Sequence, residues 1–290
     1  MNAEFDDDEP ISPHGDGGLV RVRARVAYDG SGFAGWATQP DKDTIAGRIE
    51  AALGVVLGLP GPVVTVCAGR TDAGVHARDQ WLHADVPWPL WAEHEQAAKR
   101  RLNGLLPASI RVLEITEAPP GFDARFSAMS RSYTYRVADR SEVDPLQRTH
   151  VLGWSRPLDL GPMNAAAAPF LGEHDFAAFC RARPGASSVR RLLEFQWHRD
   201  STGLAVMTVT ADAFCHSMVR SLVGVMLPVG DGRRAVDWPA EVLAGRTRIP
   251  AVVVAPAFPL VLERVSYAPD LAAYAARARR FRGTGDGTRM

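Results

Sequence analysis

The segment Gly69-Arg70-Thr71-Asp72-Ala73-Gly74-Val75-His76 joins two strand-like stretches and places a cation, a carboxylate and an imidazole within one short loop. A carboxylate is ionised at neutral pH and can act as a nucleophile or as a general base. Glycine lacks a Cβ, so Gly69 and Gly74 would let the loop turn sharply and approach a ligand closely. An Arg-x-Asp spacing at a strand end sends both polar side chains to the same side, which pairs Arg70 with Asp72. The competing reading is a plain turn in which Asp72 bonds its own backbone. His76 reads as a structural hydrogen-bonder rather than a catalyst. Cys67, Cys180 and Cys215 are odd in number and widely spaced, which offers neither a disulfide framework nor a CxxC metal site. Cys67 and Cys215 are expected to be buried small hydrophobes, and a reducing cytoplasm fits this cysteine usage.

The elements that must position the loop follow from periodicity. Val20 to Tyr28 (VRVRARVAY) alternates apolar residues with arginines, the signature of a half-buried strand, and ends at Asp29-Gly30, a turn signal. Thr44 is placed to cap a helix carrying Ile45, Ile49, Leu53, Val56 and Leu57, which stops at Gly58 and Pro60. Strands are predicted at 62–68, 80–86 and 110–115, with a helix at 90–105. The order is βαββαβ, an α+β arrangement with helices packed on the sheet. The second half repeats the theme with strands at 132–137, 189–199, 204–211 and 259–267 and helices at 160–170 and 216–229. No residue-level repeat is visible. Pro119, Pro120 and Gly121 mark a boundary, giving an N-terminal half over 19–118 and a C-terminal half over 119–268. Residues 1–18 read as a disordered acidic leader and 269–290 as a basic tail.

Composition narrows the class of function. Hydrophobic residues make up 46% and charged residues 23% of the 290, the proportions of an ordinary globular protein. Thirty-three basic residues balance thirty-three acidic ones, so no global field draws the chain to a polyanion and any such site must be local. All the basic residues except Lys42 and Lys99 are arginines, which offer a bidentate fork to phosphates. A polyanion partner would need a local groove, for which Arg21, Arg23, Arg25, Arg125, Arg131, Arg181, Arg183, Arg190 and Arg191 are the candidates. No stretch approaches the ~20 apolar residues that spanning a bilayer requires; the longest, Ala251 to Leu262, is broken by Pro256 and Pro259. No signal peptide precedes the fold, and no metal-ligand spacing is present.

Several motifs together resemble the tRNA pseudouridine synthases of the A type. The loop GRTDAGVHA is similar to that family's catalytic loop, and Tyr28 to Trp36 (YDGSGFAGW) to its opening motif. Asn103 to Pro107, Phe126 to Tyr135, Gly172 to Phe176 and Met218 to Gly224 resemble its remaining signatures, so the likeness runs from about residue 22 to 267. It implies a pseudouridine synthase fold: two ferredoxin-like, βαββαβ-type halves forming a continuous mixed, mainly antiparallel sheet with a central catalytic cleft. It also implies isomerisation of uridines 38, 39 and 40 in the anticodon stem-loop of tRNA, without cofactor or metal, by a cytoplasmic homodimer that holds one tRNA across both subunits.

Carried onto this sequence, the resemblance makes Asp72 the catalytic carboxylate and Arg220 its partner. The apolar neighbours Val219, Leu222, Val223 and Met226 bury Arg220's helix, so the arginine there needs an anion, and its guanidinium would keep Asp72 charged against desolvation. Arg70 would act on the RNA, Tyr133 would stack on the target base and Leu260 would close the base pocket. Tyr135 is expected on the opposite face, in the core. Departures from the family pattern are Ala37, Asp123, Cys215-His216-Ser217 and Pro259. Two alternatives stay open: an RNA-binding protein that has lost catalysis, and a nucleoside or glycoside hydrolase, which would need a second acid such as Glu173 or Asp175.

Overall fold

The protein is described here from a computed structural model covering residues 18–140, 142–181 and 187–269. The expected leader, apart from Gly18, and the expected tail, apart from Pro269, lie outside the described residues, as does Arg183.

Ten strands and five helices make up the described chain, with three short 3₁₀ turns between them. Strand β1 (Leu19–Tyr28) buries Val20, Val22, Ala24, Val26 and Tyr28 on one face, as its alternation requires. Helix α1 (Ile45–Val56) starts where the Thr44 side chain accepts from Gly47 N. Strand β2 spans only Val66–Cys67, not 62–68. Glu50 of α1 captures the preceding residues, since its carbonyl accepts from Val63 N and its carboxylate from Thr65 N and Oγ1.

Strand β3 (His76–Pro87) begins earlier than periodicity suggests, because its first residues find a partner elsewhere in the sheet. Helix α2 (Trp88–Leu105) carries Asn103, whose amide clips both backbone groups of Val112 and so fixes strand β4 (Ile110–Glu117).

The second half contains β5 (Ala128–Ala138), β6 (Leu152–Gly153), α3 (Leu160–Ala167), β7 (Gly172–Asp175), β8 (Val189–Arg199), β9 (Ala205–Ala211), α4 (Met218–Gly230), α5 (Trp238–Gly245) and β10 (Leu260–Tyr267). Helix α3 gives way to a 3₁₀ turn at Ala168, next to Pro169, which cannot donate to an α-helical ladder.

The strands form one mixed sheet in the order β4-β1-β3-β10-β5-β9-β8-β7, with β2 on β3 and β6 on β5. The two halves repeat one permutation: β4-β1-β3-β2 in the first and β10-β5-β9-β8 in the second. Every pairing is antiparallel except β5 with β6 and the seam between the halves, where β10 runs parallel to β3 through Val261↔His76 and Leu262↔Ala77. Helix α2 packs on β1, β3 and β4, and α1 on α2, while α3 packs on α4, α5 and β8. No helix among the described residues is long and apolar enough to cross a membrane.

Candidate active site

One edge of β3 is shared. Its C-terminal part pairs with β2 at Val66↔His83 and Cys67↔Leu82, and its N-terminal part pairs with β10. The loop from Ala68 to Val75 therefore leaves the sheet at the fork where the two halves meet.

Backbone-directed bonds hold this loop from several directions. Arg131, buried, donates to Ala68 O at 2.6 Å and also to the carbonyls of Asp212 and Arg125. Gln80 Nε2 donates to Gly69 O at 2.6 Å, Trp36 N to Thr71 O at 3.0 Å, and the Tyr28 and Thr71 hydroxyls lie 2.8 Å apart. Within the loop, Val75 N donates to Asp72 O at 3.1 Å. Gly74 sits at φ +82°, a conformation that side chains disfavour. Gly69 adopts no such conformation and has open space around it, so only one of the two loop glycines is required by geometry. Gly30 is required for another reason, because a Cβ there would lie 2.1 Å from Val75 O. Since β2 ends at Cys67, Arg70 to Asp72 are loop rather than strand, and the alternation argument that paired their side chains does not apply.

His76 is a brace. Its Nδ1 accepts from Gly30 N at 3.0 Å, and its Nε2 lies 2.8 Å from the carbonyls of both Thr149 and Phe258. Its ring stacks on His150 with centroids 4.2 Å apart. Asp29, His76 and His150 bring potential ligand atoms within 4.8 Å of one another. Both His76 nitrogens are already engaged by backbone groups, which leaves that residue no lone pair for a cation.

Asp72 and Arg220 come from different halves of the chain and meet. Arg220 Nη1 donates to Asp72 Oδ2 at 2.9 Å, with the two side chains 21% and 24% exposed. Arg220 Nε donates to Ala255 O at 2.7 Å, which fixes the guanidinium's orientation. Two residues that sequence reasoning did not single out complete the surroundings: Ser217 Oγ lies 3.4 Å from Asp72 Oδ2, and His216 Nε2 lies 3.4 Å from Oδ1. They stand three and four positions before Arg220 at the start of α4. Both precede the helix, Ser217 with a left-handed backbone, so it is the turn into α4 and not helical spacing that brings them to Asp72.

The other predicted residues are placed as follows. Tyr133 is buried on β5, its ring edge-on to Phe214 at 5.2 Å. Burial pushes its phenol well above the ordinary range; Arg131 pulls it down, while Cys67 and the negative charge of Asp72 add to the rise. Tyr135 shares that face, since residues two apart in a strand point the same way; it is in the core as expected, but not on the opposite side. Its hydroxyl donates to Pro256 O. Leu260 is buried at the start of β10, in register with Tyr135, and it is Leu262 that stands directly across from Tyr133. Arg70 is exposed, and no hydrogen bond or ion pair among the described residues engages its side chain. Glu173 is paired with Arg191, and the Asp175 carboxylate takes Ser188 Oγ and Ala177 N. Neither acid is joined to Asp72.

Two further expectations are corrected. Cys180 and Cys215 form a disulfide, with Cα atoms 5.6 Å apart. Their separation of 35 residues along the chain gave no hint that the turn after β7 and the approach to α4 converge in space. Cys67 is free and buried as expected, its thiol pushed up to about 12 by burial against the opposing pull of Arg70 and Arg125. The arginine groove is smaller than proposed. Arg21 forks onto Asp85, Arg23 lies over the Trp81 ring near Glu114, and Arg25 faces Asp79 and Glu114. Arg191 is paired with Glu173, and Arg131 is a buried brace. Arg70 and Arg125 bring positive charge beside the loop, where both act on Cys67; Arg190 faces the opposing charge of Asp212 as well as Arg125, and Arg181 is exposed next to the His216 segment.

The doubled βαββαβ sheet, with an arginine-clamped aspartate at its seam, has the architecture of the pseudouridine synthase class. Residues 166–268 match the family model described as tRNA pseudouridine synthase. The tRNA pseudouridine synthase A of Streptomyces griseus is 52% identical over 276 residues, covering 94% of this chain and 97% of that protein. Its counterpart from Frankia casuarinae is 53% identical over 256 residues (87% and 91%), and that from Mycobacterium leprae 45% over 263 residues (87% and 91%). The chain belongs to the tRNA pseudouridine synthase A family. Among solved structures, a chain of a Cbf5-Nop10-Gar1 complex aligns with 79% of this chain and 52% of its own length, at TM-score 0.33 and 14% identity, too loosely to add to the fold described above.

Proposed function

We propose that Asp72 is the carboxylate through which this tRNA pseudouridine synthase isomerises uridine, and that its targets are positions 38, 39 and 40 of the anticodon stem-loop. The observation that carries the reading is the 2.9 Å contact between Arg220 and Asp72. A guanidinium oriented by Ala255 O is held against the carboxylate as a charge-assisted hydrogen bond. The reaction breaks the N1–C1′ bond, forms a C5–C1′ bond, releases the C5 hydrogen as a proton and protonates N1. No electrons are gained or lost. Asp72 can add to the base, attack C1′ or take a proton from C2′, and each route requires the ionised form.

The remaining roles follow the same plan. The target nucleotide must leave its stack at a cost of a few kcal/mol. Arg70, exposed two residues from Asp72, is suited to gripping the vacated position, with Arg125 and Arg190 adding phosphate attraction. Tyr133 offers an aromatic face for the everted base, worth ~1 to 3 kcal/mol, and Leu260 closes the apolar wall. The chain acts as a homodimer in the cytoplasm, as the family likeness implies; with Cys180 and Cys215 bonded, cysteine usage no longer supports that compartment. The test is tritium release from tRNA labelled at C5 of uridine, followed by mapping of the pseudouridines formed. Asp72→Asn should bind tRNA but release no tritium. Turnover by that variant, or free uracil among the products, would overturn the reading.

A further inference from the structure

The oxygens of Asp72 are not equivalent. Oδ2 takes Arg220 Nη1 at 2.9 Å and faces Ser217 Oγ at 3.4 Å, while Oδ1 faces His216 Nε2 at 3.4 Å. Among the described residues Arg220 and Ser217 engage Oδ2, and the group facing Oδ1 is an imidazole. That imidazole is 41% exposed, open to a substrate in the site.

The segment carrying His216 is held rigidly. Cys215 is disulfide-bonded to Cys180, the His216 carbonyl accepts from Arg181 N at 3.1 Å, and Met218 N donates to Cys215 O. Ser217 adopts a left-handed conformation, φ 62°, although it has a Cβ, and its side chain makes no capping bond to the helix it precedes. Backbone strain of this kind persists where the surroundings impose it, and it clusters at functional sites.

We infer that His216 is a catalytic residue, the base that removes the C5 proton of the transferred uracil. The inference rests on the reading of Asp72 given above. The step balances simply: once C5–C1′ has formed, the C5–H bond breaks, its electron pair returns to the ring, its proton moves to His216 Nε2, and N1 takes a proton from water. The other groups around Asp72 are unsuited to this work. The guanidinium of Arg220 cannot accept a proton. Burial holds the Tyr133 phenol protonated, and Ser217 offers only a hydroxyl. Arg181 meets His216 through its backbone. Imidazole is the side chain that exchanges protons near neutral pH.

His216→Gln keeps size and polarity and removes the base. The expected result is a fall in kcat of about 100-fold, with tRNA affinity unchanged and the acidic limb lost from the pH profile of kcat. A C5-deuterium isotope effect should also emerge or grow, because the slowed step is the breaking of that bond; a purely structural role would not produce it. The same isotope effect and pH profile measured with His216→Asn keep the test open if the first variant folds poorly. Activity within about threefold of the parent, or a loss with no change in isotope effect and pH profile, overturns the inference. Asp72→Asn run in parallel separates the two readings. If it turns over, the Asp72 assignment fails; if it is dead while His216→Gln is fully active, only His216 is excluded.

Discussion

Arg220 bonds two acceptors that lie far apart in sequence, so its removal can be divided into parts. It donates to Asp72 Oδ2 at 2.9 Å and to Ala255 O at 2.7 Å, with the two charged side chains 21% and 24% exposed. Hydrogen bonds to charged groups contribute about 1.5 to 3 kcal/mol each, and partial exposure favours the lower end. Arg220→Met should therefore cost about 3 kcal/mol in the parent. In an Asp72→Asn background the bond to Ala255 remains to be lost but the ion pair has already gone, so the same change should cost about 1.5 kcal/mol. The coupling energy between the two positions is then about 1.5 kcal/mol.

Urea unfolding of the parent, both single variants and the double variant measures this directly. In thermal unfolding, Arg220→Met should lower Tm by about 6 to 9 °C, taking about 2 to 3 °C per kcal/mol for a chain of this size. Arg220→Lys should fall between parent and Met, because an ammonium cannot reproduce a fork that reaches both acceptors. A coupling energy below about 0.5 kcal/mol is what independent sites give. That result would mean the pair contributes nothing as a unit, and that the guanidinium does not hold the carboxylate.

Gly30→Ala would set a Cβ 2.1 Å from Val75 O, and the loop must shift at a cost of about 1 to 3 kcal/mol; full kcat and an unchanged unfolding midpoint would show the approach is not close. Replacing Cys180 and Cys215 together by Ser removes a cross-link spanning 35 residues, worth about 4 kcal/mol in the loop-entropy account. Reduction of the parent should reproduce that loss of midpoint, and identical midpoints in all forms would refute the cross-link. Burial would raise the Asp139 carboxyl, but its bonds from Arg199 and Leu158 N hold it below the ordinary range. Its contribution to stability is thus fully present above the carboxylate range of the unfolded chain and is lost as pH falls through the folded value. Urea midpoints should drop below about pH 4, and Asp139→Asn should flatten that slope; a parallel fall in both proteins would place the acid sensitivity elsewhere.

Element types were legible wherever a local rule decides them. Alternation marked β1, the Thr44 cap marked the start of α1, and the apolar run marked α4. Bounds failed where a distant partner intervenes. β2 shrank because Glu50 holds residues 63 and 65, and β3 lengthened because β10 pairs with His76 and Ala77. The short strand β7 and helix α5 carry too few residues to show a period. Within the candidate site, motif likeness brought Asp72 and Arg220 forward together, and the structure adds that they meet at 2.9 Å. His216 and Ser217 lay in a stretch that departs from the family pattern, so a motif could not flag them, and they reach Asp72 through a non-helical turn that no period records. The Cys180–Cys215 bond depends wholly on how the chain returns on itself, which no local pattern records.

The repeat also explains why the site sits where it does. The two halves share one strand order, and the ladder between them is short: β10 and β3 pair at His76 with Val261 and Ala77 with Leu262, while side chains such as Arg131, His76 and Arg220 cross the same seam. The carboxylate leaves the first half at that seam, and the guanidinium, imidazole and hydroxyl arrive from α4 of the second. Neither half alone contains both charges. A partly desolvated aspartate in one and a mostly buried arginine in the other would each be unfavourable without its partner. The candidate site therefore forms only where the halves meet, with the loop segment before β10 supplying the Ala255 carbonyl that orients the guanidinium.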